Sequence, residues 1–435
     1  MKPSATLRKI SVVLLLAGWA HLAWAQTPGG IVIPSSSVAG PDDTGILAHS
    51  NVEQLVPPGG LPTSPQIPGA PGPPFMGFFF ETPASIACVY QLLLPQVPGC
   101  NPYLAYMNPA GGAKAIGIVD AYHDPAAAAD YVRFANQFGL PTGGFTQVGA
   151  AHGDINGNCT GAPSTPINDP TAGGGWALEE SLDIEWAHAM APNAQIYLVE
   201  AQTSLLTDMY CAVRTAASLV NGAGGGEVSM SWGSGEFPSE TFFDSVFTTP
   251  GVVYFASAGD APGTQFPCVS PNVVCVGGTS IGRNHTTGAY LNQETAWQTT
   301  GGGQSLYEAR PGYQPFTVGS SRGVPDVAAD ANPFTGVWVI DNYALLVPGS
   351  GCTVGPCWFI VGGTSLSAPL WAGITNTAGS FAASSSSELS RLYGDPSADF
   401  NDVGIGSCGL SMGYLAGTGF DFCTGRGTPR GYAGK

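Results

Sequence analysis

From about Thr82 onward the chain alternates short, continuous apolar runs with helix-length stretches, and this alternation limits its possible folds more than any other feature. Ala115-Ile-Gly-Ile-Val119 precedes a helical pattern over Pro125–Phe138, and a helical Ala177–Met190 precedes Ile196-Tyr-Leu-Val199. Glu227-Val-Ser-Met-Ser231, Val252-Val-Tyr-Phe-Ala256 and Val273-Val-Cys-Val276 follow as further strands. Strands that are apolar on every residue must be covered on both faces, so the expected fold class is α/β, with a mainly parallel central sheet and helices on both faces. One domain over residues 82–435 accommodates the pattern, with no repeat of fixed period. In such sheets, sites collect where strands end and helices begin.

The first 25 residues read differently. Lys2, Arg8 and Lys9 precede the apolar run Ile10–Ala20, and Ala23-Trp-Ala25 offers a cleavage site before Gln26, which is the pattern of a signal peptide. A secreted protein, extracellular or periplasmic, is expected. The run is too short for a permanent membrane anchor. Residues 26–81 carry eight prolines between positions 57 and 74 (Pro57, Pro58, Pro62, Pro65, Pro68, Pro71, Pro73, Pro74) and read as a Pro/Gly-rich extended or disordered segment with no room for a full pro-domain. The remainder, with 44% hydrophobic and 10% charged residues overall, is ample for a core.

A formal net charge of −17 argues against a nucleic-acid partner. It also suits an acidic environment, where carboxylates protonate and self-repulsion relaxes, although a solvated acidic surface explains it equally well. All ten cysteines lie beyond the leader, at 88, 100, 159, 211, 268, 275, 352, 357, 408 and 423. An even count in a secreted chain favours disulfides. The simplest pairing is local, 88–100, 268–275, 352–357 and 408–423 with 159–211 left over, but sequence does not fix it. The absence of Cys-x-x-Cys argues against structural zinc.

The pentapeptide Val-Gly-Gly-Thr-Ser occurs twice, at 276–280 and 361–365. The first continues an apolar run, so Ser280 is expected to end a strand in a glycine-rich turn. The second leads into Leu366-Ser-Ala-Pro369-Leu-Trp-Ala-Gly-Ile-Thr375, a buried helix with proline near its start, which places Ser365 at a helix N-terminus either as a nucleophile or as a capping serine. A nucleophile needs a base. In Gly173–Pro192, Glu179 and Asp183 stand at i and i+4 on one helix face; like carboxylates so placed either share a proton or lie on a solvated surface. In Tyr254-Phe-Ala-Ser-Ala-Gly-Asp260, an apolar strand runs into an acid that either closes a turn or serves the functional edge of the sheet.

Taken in order, these blocks resemble the sedolisin family, serine-carboxyl peptidases with a subtilisin-like fold, over about Thr82 to Pro429. The matching stretches are Glu179-x-x-Leu-Asp183-Ile-Glu-Trp-Ala-His-Ala-Met-Ala-Pro192, Ser229-Met-Ser-Trp-Gly233, Ser257-Ala-Gly-Asp260 and Gly363-Thr-Ser365-Leu-Ser-Ala-Pro369. The resemblance implies an acid-acting serine endopeptidase with Ser365 as nucleophile, Glu179 as general base and acid, Asp183 as its orienting partner and Asp260 as oxyanion donor. It also implies Ser231, Trp232 and Gly233 as substrate-binding residues. It implies one calcium ion held by the side chains of Asp402 and Asp421, the carbonyls of Val403, Gly417 and Gly419, and water. The chemistry is coherent: a carboxylate keeps its charge in acid where histidine would be protonated, and Asp260 donates only if it stays neutral. The expected protein is a monomer that cleaves proteins or peptides, without nucleic acid or membrane anchor.

Two features depart from the family pattern, the short stretch between leader and domain and Gly362 where many relatives carry serine. Two other functions fit the residues. One is a subtilisin-type triad of Asp120, His152 and Ser365, against which stand the loop after His152 and an acid at the oxyanion position. The other is an inactive secreted binding relative. His188 is expected to be packed or solvent-facing, and Asp120 and Asp124 to support the site or a turn.

Overall fold

The computed structural model describes residues 29–62, 71–93, 97–284, 286–315, 319–347, 351–409 and 413–435. The signal peptide read over 1–25, its cleavage site before Gln26, and Pro65 and Pro68 lie outside the described residues.

In chain order the elements used below are β1 (Gly30–Val32), β2 (His49–Ser50), β3 (Glu53–Val56), α1 (Pro83–Val89), β4 (Ala115–Ala121), α2 (Ala127–Phe138), β5 (Phe145–Gly149), α3 (Gly175–Met190), β6 (Gln195–Ala201) and α4 (Leu206–Gly222). They continue with β7 (Gly226–Met230), β8 (Trp232–Gly235), β9 (Val252–Ser257), β10 (Val274–Arg283), β11 (Tyr290–Ala296), β12 (Val327–Asp330), β13 (Val337–Ile340), β14 (Trp358–Gly362) and α5 (Thr364–Ala378). The central sheet has eight strands, β11-β10-β9-β7-β4-β6-β5 with β12 also on β10. Every pairing is parallel except β10–β11.

The strand sequences explain the layering. On β4, Ile116 and Ile118 face a core shared with α3 and α5, while Ala115 and Val119 face a second core built on α4, as the period of two requires. Both faces of the sheet are covered, which is why these strands are largely apolar. Helix α3 has no solvated side, since all sixteen of its residues are buried. It can lie close to α5 because Gly373 has no side chain, and a Cβ there would stand 2.6 Å from Met190 Cβ and 2.8 Å from the Ala187 carbonyl oxygen.

Five disulfides join Cys88–Cys100, Cys159–Cys211, Cys268–Cys275, Cys352–Cys357 and Cys408–Cys423, the local pairing among those the sequence left open.

Two expectations are corrected. The first Val-Gly-Gly-Thr-Ser is not a strand end: residues 276–280 run through the middle of the ten-residue β10. The strand continues because Val276–Thr279 pair with Val327–Asp330 of β12 on one side, and Thr279–Arg283 with β11 on the other. Its glycines serve close packing. A Cβ on Gly277 would stand 2.6 Å from Pro325 Cγ, and one on Gly278 2.6 Å from Ala331 Cβ and 2.9 Å from Trp297. Ser280 accepts a hydrogen bond from Asn332 (3.0 Å) and plays a scaffold role.

The second correction concerns the segment before Thr82, where residues 30–56 are not an unstructured leader. Strand β3 pairs with β1 and with β14, the strand that leads into α5, giving a four-stranded antiparallel sheet β1-β3-β14-β13. Strand β2 pairs with β8. These strands are two to four residues long, too short for periodicity to announce them.

The glycine packing on β10 is directly testable. Gly278→Ala forces a methyl group against Ala331 and Trp297, and overpacking of this kind costs about 1–3 kcal/mol. Urea unfolding should give a lower midpoint with an unchanged slope.

Candidate functional site

Ser365 owes its position to two glycines. Gly362 ends β14, and Gly363 caps α5 at φ 100°, a conformation that a side chain would oppose. Ser365 therefore lies in the first turn of α5 rather than at the cap. It is fully buried. Its Oγ donates to the Ser231 carbonyl (3.2 Å) and accepts from the backbone N–H of Asn51 (3.1 Å).

Glu179 and Asp183 come from the buried face of α3, not from a solvated one. The Ser231 hydroxyl lies 2.8 Å from Asp183 Oδ1 and 3.1 Å from the Ser365 carbonyl oxygen, tying α3, the junction of β7 and β8, and α5 at one point. Neither Glu179 oxygen has a partner of full hydrogen-bond geometry, yet the Ser365 hydroxyl stands close enough to favour its ionised form. Burial pushes Glu179 well above the ordinary carboxylate range, and the Asp183 and Asp120 charges push it further. Asp183 is raised likewise, by burial first and then by Asp120, against the opposing bond from Ser231. Asp120, at the end of β4, has two unpartnered buried oxygens and is pushed up to about 8 by burial and by Glu200. The three carboxyls thus form one set in which burial and mutual repulsion favour the protonated forms.

Asp260 follows β9. Its Oδ1 accepts from the backbone N–H (2.7 Å) and hydroxyl (2.8 Å) of Thr364, the residue before Ser365. Oδ2 is covered and has no partner. Burial raises this carboxyl well above its usual range despite the Thr364 N–H. A neutral Asp260 would carry its proton on Oδ2, and a Cβ placed on Gly363 would clash with that atom and with the Asn51 carbonyl oxygen together. The two oxygens therefore share one small space above Gly363.

Sequence reasoning missed Asn51, Ser257 and Thr364. The Asn51 amide donates to Ser257 Oγ (2.7 Å), and its carbonyl accepts from the Ser365 N–H (3.1 Å). Thr364, next to Ser365 in the quoted motif, could have been flagged there; nothing local marks Asn51. Of the expected substrate residues, Ser231 and Gly233 present backbone to the cleft, while Trp232 turns inward and donates to the Val119 carbonyl (2.8 Å). The open part of this cleft, about 390 Å³, is bounded by His49, Asn51, Glu53, Gly233, Asp260 and Gln265.

The alternative triad does not assemble. His152 is 65% exposed and pairs with Asp208 at 3.2 Å, while Asp120 faces the carboxyl set. His188 is packed, 2.9 Å from the Tyr131 hydroxyl and 2.8 Å from the Pro141 carbonyl, and burial lowers it to about 4. Asp124 is buried beside Glu200 and bonds the N–H of Ala126 (2.7 Å).

Asp402, Val403, Gly417, Gly419 and Asp421 do come together. The Gly419 N–H donates to Asp402 Oδ2 and the Gly417 N–H to Asp421 Oδ2, both at 2.9 Å, and Thr424 reaches the Val403 carbonyl. No cluster of three or more His, Cys, Asp or Glu suited to a metal occurs among the described residues. What meets here is a pair of carboxylates, each accepting a backbone N–H.

Fold and site together define a subtilisin-like α/β domain in which a helix-start serine faces buried carboxyl groups. The chain is 31% identical to kumamolisin of Bacillus sp. (strain MN-32) over 312 residues, covering 62% of this chain and 52% of kumamolisin. It is 28% identical to sedolisin of Pseudomonas sp. (strain 101) over 372 residues, covering 75% and 58%, and 33% identical to xanthomonalisin of Xanthomonas sp. (strain T-22) over 186 residues, covering 37% and 21%. It thus spans about half the length of kumamolisin and sedolisin. The solved structure of Pseudomonas sedolisin, a serine-carboxyl proteinase complexed with two molecules of pseudo-iodotyrostatin, superposes with a TM-score of 0.62 at 23% identity, covering 81% of this chain and 96% of that one. No protein-family model matches the chain. The chain is thus similar in sequence to kumamolisin, sedolisin and xanthomonalisin, and the superposition shows that it shares the fold of Pseudomonas sedolisin. Among the described residues, no helix is long and apolar enough to cross a membrane.

The buried acids predict an inverted pH response. A carboxyl whose folded-state pKa lies above its unfolded value contributes stability that is fully present below the unfolded value and is lost as pH rises through the folded one. For Asp120 that window runs from its ordinary 3.8 to about 8. The melting temperature should therefore be highest near the bottom of this window and fall toward neutrality, and Asp120→Asn should flatten the fall; calorimetry across the range checks both.

Proposed function

We propose that this chain is a secreted serine-carboxyl endopeptidase that cleaves peptide bonds in acid. The observation that carries this reading is the convergence of the Ser365 hydroxyl, the Glu179–Asp183–Asp120 carboxyl set and the covered Oδ2 of Asp260 around the start of α5. One charge in the set falls to Glu179 when the Ser365 hydroxyl points at it, and Glu179 then takes the serine proton as the oxygen attacks a substrate carbonyl. Asp183 and Asp120, protonated, keep that charge from spreading. The developing oxyanion is met by the Ser365 N–H and by the proton on Asp260 Oδ2. Glu179 returns its proton to the leaving amine, and water releases the acyl group by the same steps. The five disulfides support secretion.

The variants separate these roles. Ser365→Ala should abolish hydrolysis of an unfolded protein, and Glu179→Gln should lower kcat by about 10²–10⁴-fold. Asp260→Ala should cost about 10²–10³-fold. Asp260→Asn keeps a donor that does not titrate, so it should retain more activity and lose the alkaline limb of the pH profile. An optimum near neutrality that survives Glu179→Gln would overturn the assignment.

We further propose one calcium ion on Asp402, Asp421 and the carbonyls of Val403, Gly417 and Gly419. Bound there, the ion would tie the C-terminal loop and neutralise two acids. Added calcium should raise the melting temperature of the wild type in a concentration-dependent way and leave Asp402→Ala unmoved.

A further inference from the structure

Beside Asp120 lies an acid that takes no part in the mechanism above. Asp120 on β4 and Glu200 on β6 stand opposite one another in the parallel register, so their side chains leave the same face of the sheet. Both are buried, and they are equipped in opposite ways. Asp120 has no hydrogen-bond partner on either oxygen among the described residues. Glu200 Oε1 meets three donors: the His123 imidazole Nδ1 (2.7 Å), the Gln147 amide (2.6 Å) and the backbone N–H of Asp124 (3.2 Å). Donors on a carboxylate favour its charged form, so within this pair the charge falls to Glu200 and the proton to Asp120.

The surroundings hold those donors in place. The chain turns at Tyr122, whose φ of 71° is one that bulky residues rarely adopt, and His123 then lies against Glu200 with 19% of its side chain exposed. Gln147 also donates to the Asp124 carbonyl (2.8 Å), which fixes its amide over Glu200. The other ionisable neighbours of Glu200 are acids, since Asp124 in the loop after β4 and Glu180 on α3 both repel a charge there. A glutamine at position 200 would staple β4, β5 and β6 equally well and avoid that repulsion. The charge is what a staple does not need.

We infer that Glu200, held by His123 and Gln147, is a positioning residue for the reaction: its charge keeps Asp120 protonated, so that the one charge of the carboxyl set stays on Glu179, where it can take the Ser365 proton. This rests on the peptidase reading. The effect passes through Asp120, because Glu200 bears directly on Asp120, and the Asp120 charge in turn bears on both Asp183 and Glu179. Were Asp120 to ionise, its charge would keep Glu179 a neutral acid over more of the acid range, and Ser365 would lose its base there.

The experiment compares the full chain with Glu200→Gln, which keeps the shape and an acceptor for the three donors but not the charge, and with the same change in an Asp120→Asn background. Two quantities are followed from pH 3 to 9: kcat and KM for a peptide substrate, and the titration of Asp120 by its carboxyl carbon resonance, read in chains carrying Ser365→Ala. Glu200→Gln should lower the Asp120 midpoint from about 8 by about one unit or more. It should also move the acid limb of kcat up by about one unit, a roughly tenfold loss at a fixed pH on that limb, with KM unchanged. In the Asp120→Asn background the same change should leave the acid limb where it stands, since nothing remains for Glu200 to act on. Gln147→Leu removes one donor and should move both quantities the same way by less, which keeps the test open if Glu200→Gln does not melt like the wild type. A uniform loss of kcat at every pH, an acid limb that moves equally in both backgrounds, or an Asp120 midpoint that stays put overturns the proposal and leaves the peptidase reading intact. A wild type that hydrolyses nothing anywhere in the range removes the peptidase reading, and the proposal falls with it even if the Asp120 midpoint moves.

Discussion

A carboxyl group taken out of water holds a charge only where something replaces the water, and the architecture of this protein depends on how it meets that constraint. Helix α3 carries Glu179, Glu180, Asp183 and Glu185 into the interior, and no ion pair among the described residues reaches any of them. Burial favours their neutral forms, which pack and bond much as amides do. Arg322 and Asp326 show the other solution, since both are fully buried and bonded to one another at 2.5 Å. The contrast is functional. An ion pair fixes its charges, whereas an unpaired carboxyl set can take up or release a proton at the one point where Ser365 meets it.

The same constraint gives the net charge of −17 a meaning that composition lacked. A solvated acidic surface was an equally good account of it, yet many of the acids are interior. Helix α3 alone holds four, and Asp120, Asp124, Asp130, Glu200, Glu227, Asp330 and Asp341 are buried too. Acid favours the fold of such a molecule through its core as well as its surface.

What could be read in the chain was local. Apolar runs of β length announced the central strands because both faces of each are covered, and the local cysteine pairing was the simplest of several that the sequence left open. The nucleophile candidate was legible because Pro369 and the apolar residues after it suit a buried helix, although a capping serine fitted the same pattern. The rest depends on partners far away in sequence. Residues 276–280 looked like a strand end, yet β11 and β12 extend the strand through them. The Glu179–Asp183 face was ambiguous between surface and interior because a helix buried on all sides has no amphipathic pattern to orient it. Asp120 could be seen as an acid after a strand, but not as the third member of a carboxyl set built from another element. The strands of residues 30–56 were hidden by their shortness.

That last region changes what the two Val-Gly-Gly-Thr-Ser copies mean. The copies differ less in themselves than in what lies against them. At 277–278 a proline, an alanine and a tryptophan fill the space where side chains would stand, and the glycines let the core close. At 362–363 the neighbours are backbone and a functional acid: the Ala331 carbonyl and Pro333 beside Gly362, and Asn51 with Asp260 beside Gly363. The strand β14 that ends in these glycines is itself held by β3, whose register sets Glu53 opposite Gly362. The chain that aims the serine and the chain that covers it therefore belong to one four-stranded sheet. The β3–β14 pairing ends at Glu53 and Gly362, and just beyond it the Asn51 carbonyl accepts from the Ser365 N–H at 3.1 Å, so the same sheet edge that leads into α5 brings Asn51 against Ser365.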